Sequence, residues 1–114
     1  MATITYTVTV ASGTNQYGTG NKFYINGAVS PDLNLVEGNT YIFDQSDSTN
    51  GAGGTHPLRF STTANGTHAG GTAYTTGVTT TGTPGNAGAN TTIVVATYAP
   101  TLYYYCSNHS GMGA

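Results

Sequence analysis

This chain has very little charge. Its 114 residues include two Lys or Arg and four Asp or Glu, a charged fraction of 5% and a formal net charge of -2. Globular domains average about 25% charged residues. The two cations are Lys22 and Arg59. Nucleic-acid binding draws on a basic stripe that displaces phosphate counterions, and two lysine or arginine residues cannot build one, so a nucleic-acid partner is not expected. Cysteine is almost as scarce. The single Cys106 excludes an internal disulfide. Apolar runs are only a few residues long, so membrane insertion is not expected. Met1-Ala2-Thr3-Ile4 opens without the basic-then-apolar pattern of a secretory leader. There is no P-loop, dinucleotide glycine fingerprint or nucleophile elbow.

What is present argues for a folded all-β domain. Hydrophobic residues make up 37% and aromatics 11%, concentrated in short runs, which is not the composition of disorder. The length fits a single domain, residues 1–114. No stretch keeps a helical period over three turns. Thr3 to Val10 alternates, with Ile4, Tyr6, Val8 and Val10 on one face and threonines on the other, the pattern of a half-buried strand. Ala11 to Gly20 reads as a turn-rich loop and Lys22 to Asn26 as a short strand ending at the turn dipeptide Asn26-Gly27. Leu33–Val36 and Tyr41–Phe43 read as two strands around Glu37-Gly38-Asn39. Ser46 to Thr55 is a glycine-rich connection. On a strand from His56 to Ser61, His56 would share a face with Leu58 and Phe60. Thr62 to Asn90 is a long Gly/Thr-rich stretch with short strand pieces near Ala73-Tyr74 and Gly77-Val78. Thr91–Thr97 and Thr101–Cys106 complete about seven strands, the count of a β-sandwich.

The chemistry lies at the end. Cys106-Ser107-Asn108-His109-Ser110-Gly111-Met112 spells C-x-x-H-x-x-M directly after Leu102-Tyr103-Tyr104-Tyr105. A thiolate, an imidazole and a thioether on one loop are ligands for soft or borderline transition metals, and one further histidine completes a trigonal His2Cys site with a weak axial Met. His56, in Thr55-His56-Pro57-Leu58-Arg59-Phe60, is the candidate. The expected metal ligands are therefore His56, Cys106, His109 and Met112. Zinc can also occupy a His2Cys set, but the thioether favours copper. His68, in the polar stretch Asn65-Gly66-Thr67-His68, is expected to face solvent and not to ligate. Asn65, Asn90 and Asn108 stand in glycosylation-type triplets, which a chain so rich in Asn and Thr produces by composition.

This pattern resembles the cupredoxin (blue copper) family. The short C-x-x-H-x-x-M loop is similar to the amicyanin type and shorter than the plastocyanin type, and Leu35–Phe43 resembles the strand-turn-strand before the family's first histidine. The resemblance implies a cupredoxin-like Greek-key β-sandwich that binds one copper ion, Cu(I)/Cu(II), with zinc as a substitute, and exchanges single electrons with a redox partner protein. It does not imply an enzyme, because four protein ligands leave no open position for substrate.

Two features depart from that family. A further strand follows the methionine there, whereas here Gly113 and Ala114 follow. An open edge invites pairing, and Thr3–Val10 is expected to cover it, from the same molecule or a neighbour. Low charge also denies the chain the docking patches usual in electron carriers. Its Thr/Gly/Asn-rich composition resembles modules of extracellular or virion structural proteins, such as phage fibres. The alternative function is accordingly a copper-stapled structural or surface-display module, with an extracellular, periplasmic or virion-associated setting. Edge-strand self-association and membership in a larger chain are the corresponding partner expectations.

Overall fold

The computed structural model describes all 114 residues. Eight strands form an all-β sandwich: β1 (Thr3–Asn15), β2 (Gly18–Ile25), β3 (Ala28–Val29), β4 (Thr40–Asp44), β5 (Leu58–Ser61), β6 (Val78–Thr81), β7 (Asn90–Val94) and β8 (Tyr103–Cys106). The hydrogen-bonded order is β3-β2-β1-β4-β7-β6, with a separate β5-β8 pair. Helical structure is confined to two 3-10 turns, Ser48–Gly51 and Gly66–Ala69.

β1 is longer than the alternation at its start suggests, and it serves two layers. Thr3–Thr7 runs parallel to β4, and Val8–Asn15 then pairs antiparallel with β2. The stretch from Ala11 to Gly20 is therefore not a loop but the arms of a hairpin turning between Asn15 and Gly18. Small and β-branched residues read as turn-forming when their cross-strand partners are unseen. Leu33–Val36 is also corrected. It forms no strand, because no neighbouring strand pairs with its backbone; Val36 bonds only to Tyr41 Oη and the Asn39 amide. The buried face of β1 continues into a core of Val8, Val10, Phe23, Ile25, Tyr41, Phe43, Leu58, Phe60, Ile93, Val95, Tyr104, Cys106 and Met112. Cys106 and Met112 thus belong to the core as well as to the C-x-x-H-x-x-M loop.

The edge left for a last strand is not covered by Thr3–Val10, whose two sides are taken by β4 and β2. The tail itself does that work. The Phe23 amide donates to Met112 O at 3.0 Å, and Tyr104 and Ala114 exchange amide-carbonyl bonds at 2.9 and 3.1 Å. Met112–Ala114 thereby lies between β2 and β8 and joins them. Gly113 is needed there: a Cβ would stand 1.8 Å from Tyr104 O.

Candidate metal centre

Chain order places the two halves of the centre far apart, and the sandwich brings them together. β5 and β8 pair with Leu58 opposite Cys106, which sets the residues before Leu58 beside those after Cys106. The Ser107 amide donates to Pro57 O at 3.0 Å, and Asn108 Nδ2 donates to Thr55 O at 3.0 Å. Cys106 Sγ then lies 3.8 Å from His56 Nδ1 and 3.7 Å from His109 Nδ1. The ligand atoms of His56, Cys106 and His109 all fall within 4.8 Å of one another; His56 and Cys106 are buried and His109 is the solvent-facing member. The two rings are 4.6 Å apart, centroid to centroid. Met112 is buried in the same apolar cluster as Cys106. The donor set is a thiol, two imidazoles and an adjacent thioether.

The two sulfur–nitrogen spacings fit a shared ion. With metal–nitrogen bonds of about 2.05 Å and a metal–sulfur bond of about 2.3 Å, a 120° angle separates N from S by about 3.8 Å, and a tetrahedral angle by about 3.6 Å. Both observed S···N distances lie nearer the wider angle.

His56 is oriented by what surrounds it. His56 Nε2 is 2.8 Å from Ala52 O. A carbonyl can only accept, so Nε2 carries the proton and Nδ1 keeps its lone pair toward the sulfur, the usual outer partnership of a ligating imidazole. Burial depresses the His56 pKa; the Ala52 bond opposes this and the nearby His109 adds to it. The ring is therefore held neutral, the form that ligates. Burial pushes the Cys106 thiol up, against the pull of the Asn108 and His109 amides and Arg59. Without a metal the sulfur stays protonated, and ligation must remove that proton.

A buried amide bracket holds the His56 segment. Gln45 Nε2 donates to His56 O at 2.6 Å and to Asn50 Oδ1 at 3.0 Å, while Gln45 Oε1 accepts from the Leu58 amide at 3.0 Å. Asn50 O accepts from the His56 amide at 2.8 Å, and Asn50 Nδ2 donates to Val8 O at 2.8 Å. No buried side-chain polar atom lacks a partner, and a fully satisfied buried network rigidifies what it holds.

A second set of side chains holds the loop. Gly111 O accepts from Lys22 Nζ at 2.7 Å and from Asn15 Nδ2 at 2.9 Å, and Ser30 Oγ donates to Met112 O at 3.0 Å. From outside, Asn65 Oδ1 accepts from the Gly111 amide and Asn65 Nδ2 donates to Ser110 Oγ, each at 2.8 Å. Asn65 sits at φ 62°, a left-handed conformation that asparagine tolerates better than most residues. His68 is exposed and outside the ligand cluster, as expected, yet it is not idle: its Nε2 donates to Cys106 O at 2.7 Å. Gly66 brings this 3-10 turn against Tyr105, where a Cβ would come within 2.5 Å of the ring.

Gln45, Asn50, Asn15, Lys22, Ser30 and Asn65 stand in no motif that marks them as supports. A polar residue whose partner is a distant backbone atom leaves no spacing signal. Lys22 stands beside Phe23-Tyr24-Ile25, and a cation buried on such a strand requires an acceptor.

No family model, no curated protein and no solved structure matches this chain. The His/Cys/His cluster and the all-β sandwich therefore stand on the chain's own geometry.

Proposed function

We propose that this protein binds a single copper ion through His56, Cys106 and His109, with Met112 as the weak axial ligand, and serves in one-electron transfer. The observation that carries this reading is the convergence of Cys106 Sγ on two Nδ1 atoms at 3.7 and 3.8 Å. Copper bound there supplies the Cu(I)/Cu(II) couple, and a trigonal His2Cys set with an axial thioether is the donor arrangement associated with that use. The buried thioether beside the thiol favours copper over zinc, which takes four tetrahedral ligands of N, S or O type.

The chain's own part is to hold these donors still. The Gln45–Asn50 bracket holds the His56 backbone, and Asn15, Lys22, Ser30 and Asn65 hold the loop. A site that keeps one geometry in both oxidation states needs little rearrangement when an electron moves. The same anchoring weighs against the structural-staple alternative, because the loop is already tied to the sandwich by protein hydrogen bonds.

Cu(II) titration followed by visible absorption tests the reading. An intense thiolate-to-copper band at one equivalent, absent in Cys106→Ala, is the expected result. A wild-type protein that stays colourless and takes up only Zn2+ would overturn it. A copper protein with no reversible reduction potential would leave copper binding and remove electron transfer.

A further inference from the structure

We propose that His68 is a positioning residue for the electron-transfer centre: its imidazole N–H, held on the carbonyl oxygen of Cys106, favours the reduced state and so raises the reduction potential. This role rests on the copper reading above. His68 Nε2 lies 2.7 Å from Cys106 O. A carbonyl only accepts, so Nε2 carries the proton and donates. The β5-β8 ladder leaves this oxygen to His68. Leu58 stands opposite Cys106, but its amide goes to Gln45 Oε1.

The segment that carries His68 is built to hold it there. It leaves β5 after Ser61 and returns to the same strand. Ser61 Oγ donates to Thr72 O at 2.7 Å, and the Tyr74 amide donates to Phe60 O at 2.6 Å. Between these two fixings the segment closes on itself, with the Gly66 amide on Thr63 O at 2.9 Å and the Gly71 amide on Gly66 O at 3.0 Å. Gly71 has no room for a side chain: a Cβ would stand 2.6 Å from Thr63 Cβ. The His68 ring meets Tyr105 edge-on, with centroids 6.2 Å apart and planes at 85°. Packing on Tyr105 and the bond to Cys106 thus fix the ring together. Asn65, on the same turn, bonds Ser110 and Gly111. One turn therefore holds both ends of the C-x-x-H-x-x-M loop.

The fold does not depend on this bond. β8 is already paired with β5 and with the tail, and Asn15, Lys22, Ser30 and Asn65 clamp the loop. His68 is exposed, and in the unfolded chain water satisfies both partners, so its net contribution to folding is small. Its effect falls on the ligand. Cys106 is buried, and polar interactions are stronger in such a low-dielectric setting. Its thiolate is the negative member of the proposed donor set. The oxidised centre carries one more positive charge than the reduced one. A donor that draws electron density from the Cys106 residue therefore opposes oxidation.

Voltammetry of the copper-loaded protein at one fixed pH tests this on wild type, His68→Leu and His68→Gln. Glutamine can set an amide N–H near the position of the imidazole Nε2, so it serves as the rescue. His68→Leu should reduce the preference for Cu(I) over Cu(II) by about three- to tenfold, the ordinary worth of one hydrogen bond. At about 59 mV per tenfold for one electron, the potential then falls by about 30–60 mV, and His68→Gln should stay close to wild type. The metal-free protein gives a second readout. Its Cys106 carbonyl carbon resonance should move in His68→Leu and hold in His68→Gln, with the melting temperature unchanged in both. An unmoved potential in His68→Leu, with the thiolate-to-copper band intact, would overturn this role alone. An equal fall in both variants, or a fall matched by a lower melting temperature, would make His68 a structural prop and overturn it too. A wild type without that band would overturn the copper reading itself, and the role of His68 with it.

Discussion

His56 donates through Nε2 to the carbonyl oxygen of Ala52 at 2.8 Å, and this one bond selects which ring nitrogen can ligate. Ala52 closes the 3-10 turn Ser48–Gly51, and its own amide bonds to Thr49 O. The glycine-rich connection before His56 is thus a built support that aims the ring. Nitrogen NMR on the metal-free protein should find His56 as the Nε2–H tautomer. An Nδ1–H tautomer would mean that the lone pair points away from Cys106.

His56 and Cys106, both buried, set opposite pH limits on the metal-free fold. The folded-state pKa of His56 is depressed, so the unfolded chain takes its proton first; stability present above about pH 6.5 falls as pH drops toward the folded value. The folded-state pKa of Cys106 is raised, so the unfolded chain loses its proton first, and stability falls as pH rises above about 8.5. Thermal melts of the metal-free protein should therefore peak between these limits. His56→Gln should remove the acid-side decline and Cys106→Ala the alkaline one. At neutral pH, metal uptake should release about one proton, from the thiol, measured in weak buffer.

Asn65→Gly separates loop positioning from backbone strain. Glycine accepts φ 62° freely, so the turn survives while the bonds to Ser110 and Gly111 are lost. Metal affinity should drop about 10- to 100-fold, the usual effect of losing an outer partner, with little change in the melting temperature of the metal-free protein. Competition with a chelator measures it, and an unchanged affinity would show that the inner clamps suffice.

Gln45→Leu should be among the most damaging changes remote from the metal. It strands Asn50 Oδ1, His56 O and the Leu58 amide in the interior. At about 1–3 kcal/mol for each of the three unsatisfied groups, a loss of at least about 3 kcal/mol is expected. Urea unfolding of the metal-free protein reads it directly, and a loss below about 1 kcal/mol would mean that water replaces the amide.

Gly113→Ala should expel the tail from its place between β2 and β8. A Cβ 1.8 Å from Tyr104 O meets backbone, which cannot swing aside as a side chain can. Amide exchange at Phe23 and Tyr104 should rise, and Met112 should lose its fixed position. If copper is bound, the visible spectrum should change shape, whereas an unchanged spectrum would separate Met112 from the metal.

Local patterning carried much of this protein. The alternation of Ile4, Tyr6, Val8 and Val10 marked a buried strand face because side chains in a strand repeat every two residues. The spacing of Cys106 and His109 marked a thiol and an imidazole that meet, because neighbours on a short turn come together whatever the rest of the chain does. Other features depended on partners far away in sequence. Whether Leu33–Val36 becomes a strand is decided by what lies alongside it, and here no strand does. Ala11–Asn15 looked like loop until Gly18–Lys22 supplied its ladder. The choice of Nδ1 on His56, the placing of the Gln45 and Asn50 amides and the tail's path between β2 and β8 all draw on hydrogen bonds to distant backbone carbonyls. A backbone carbonyl is identical at every residue, so only the folded arrangement reveals which one a side chain meets.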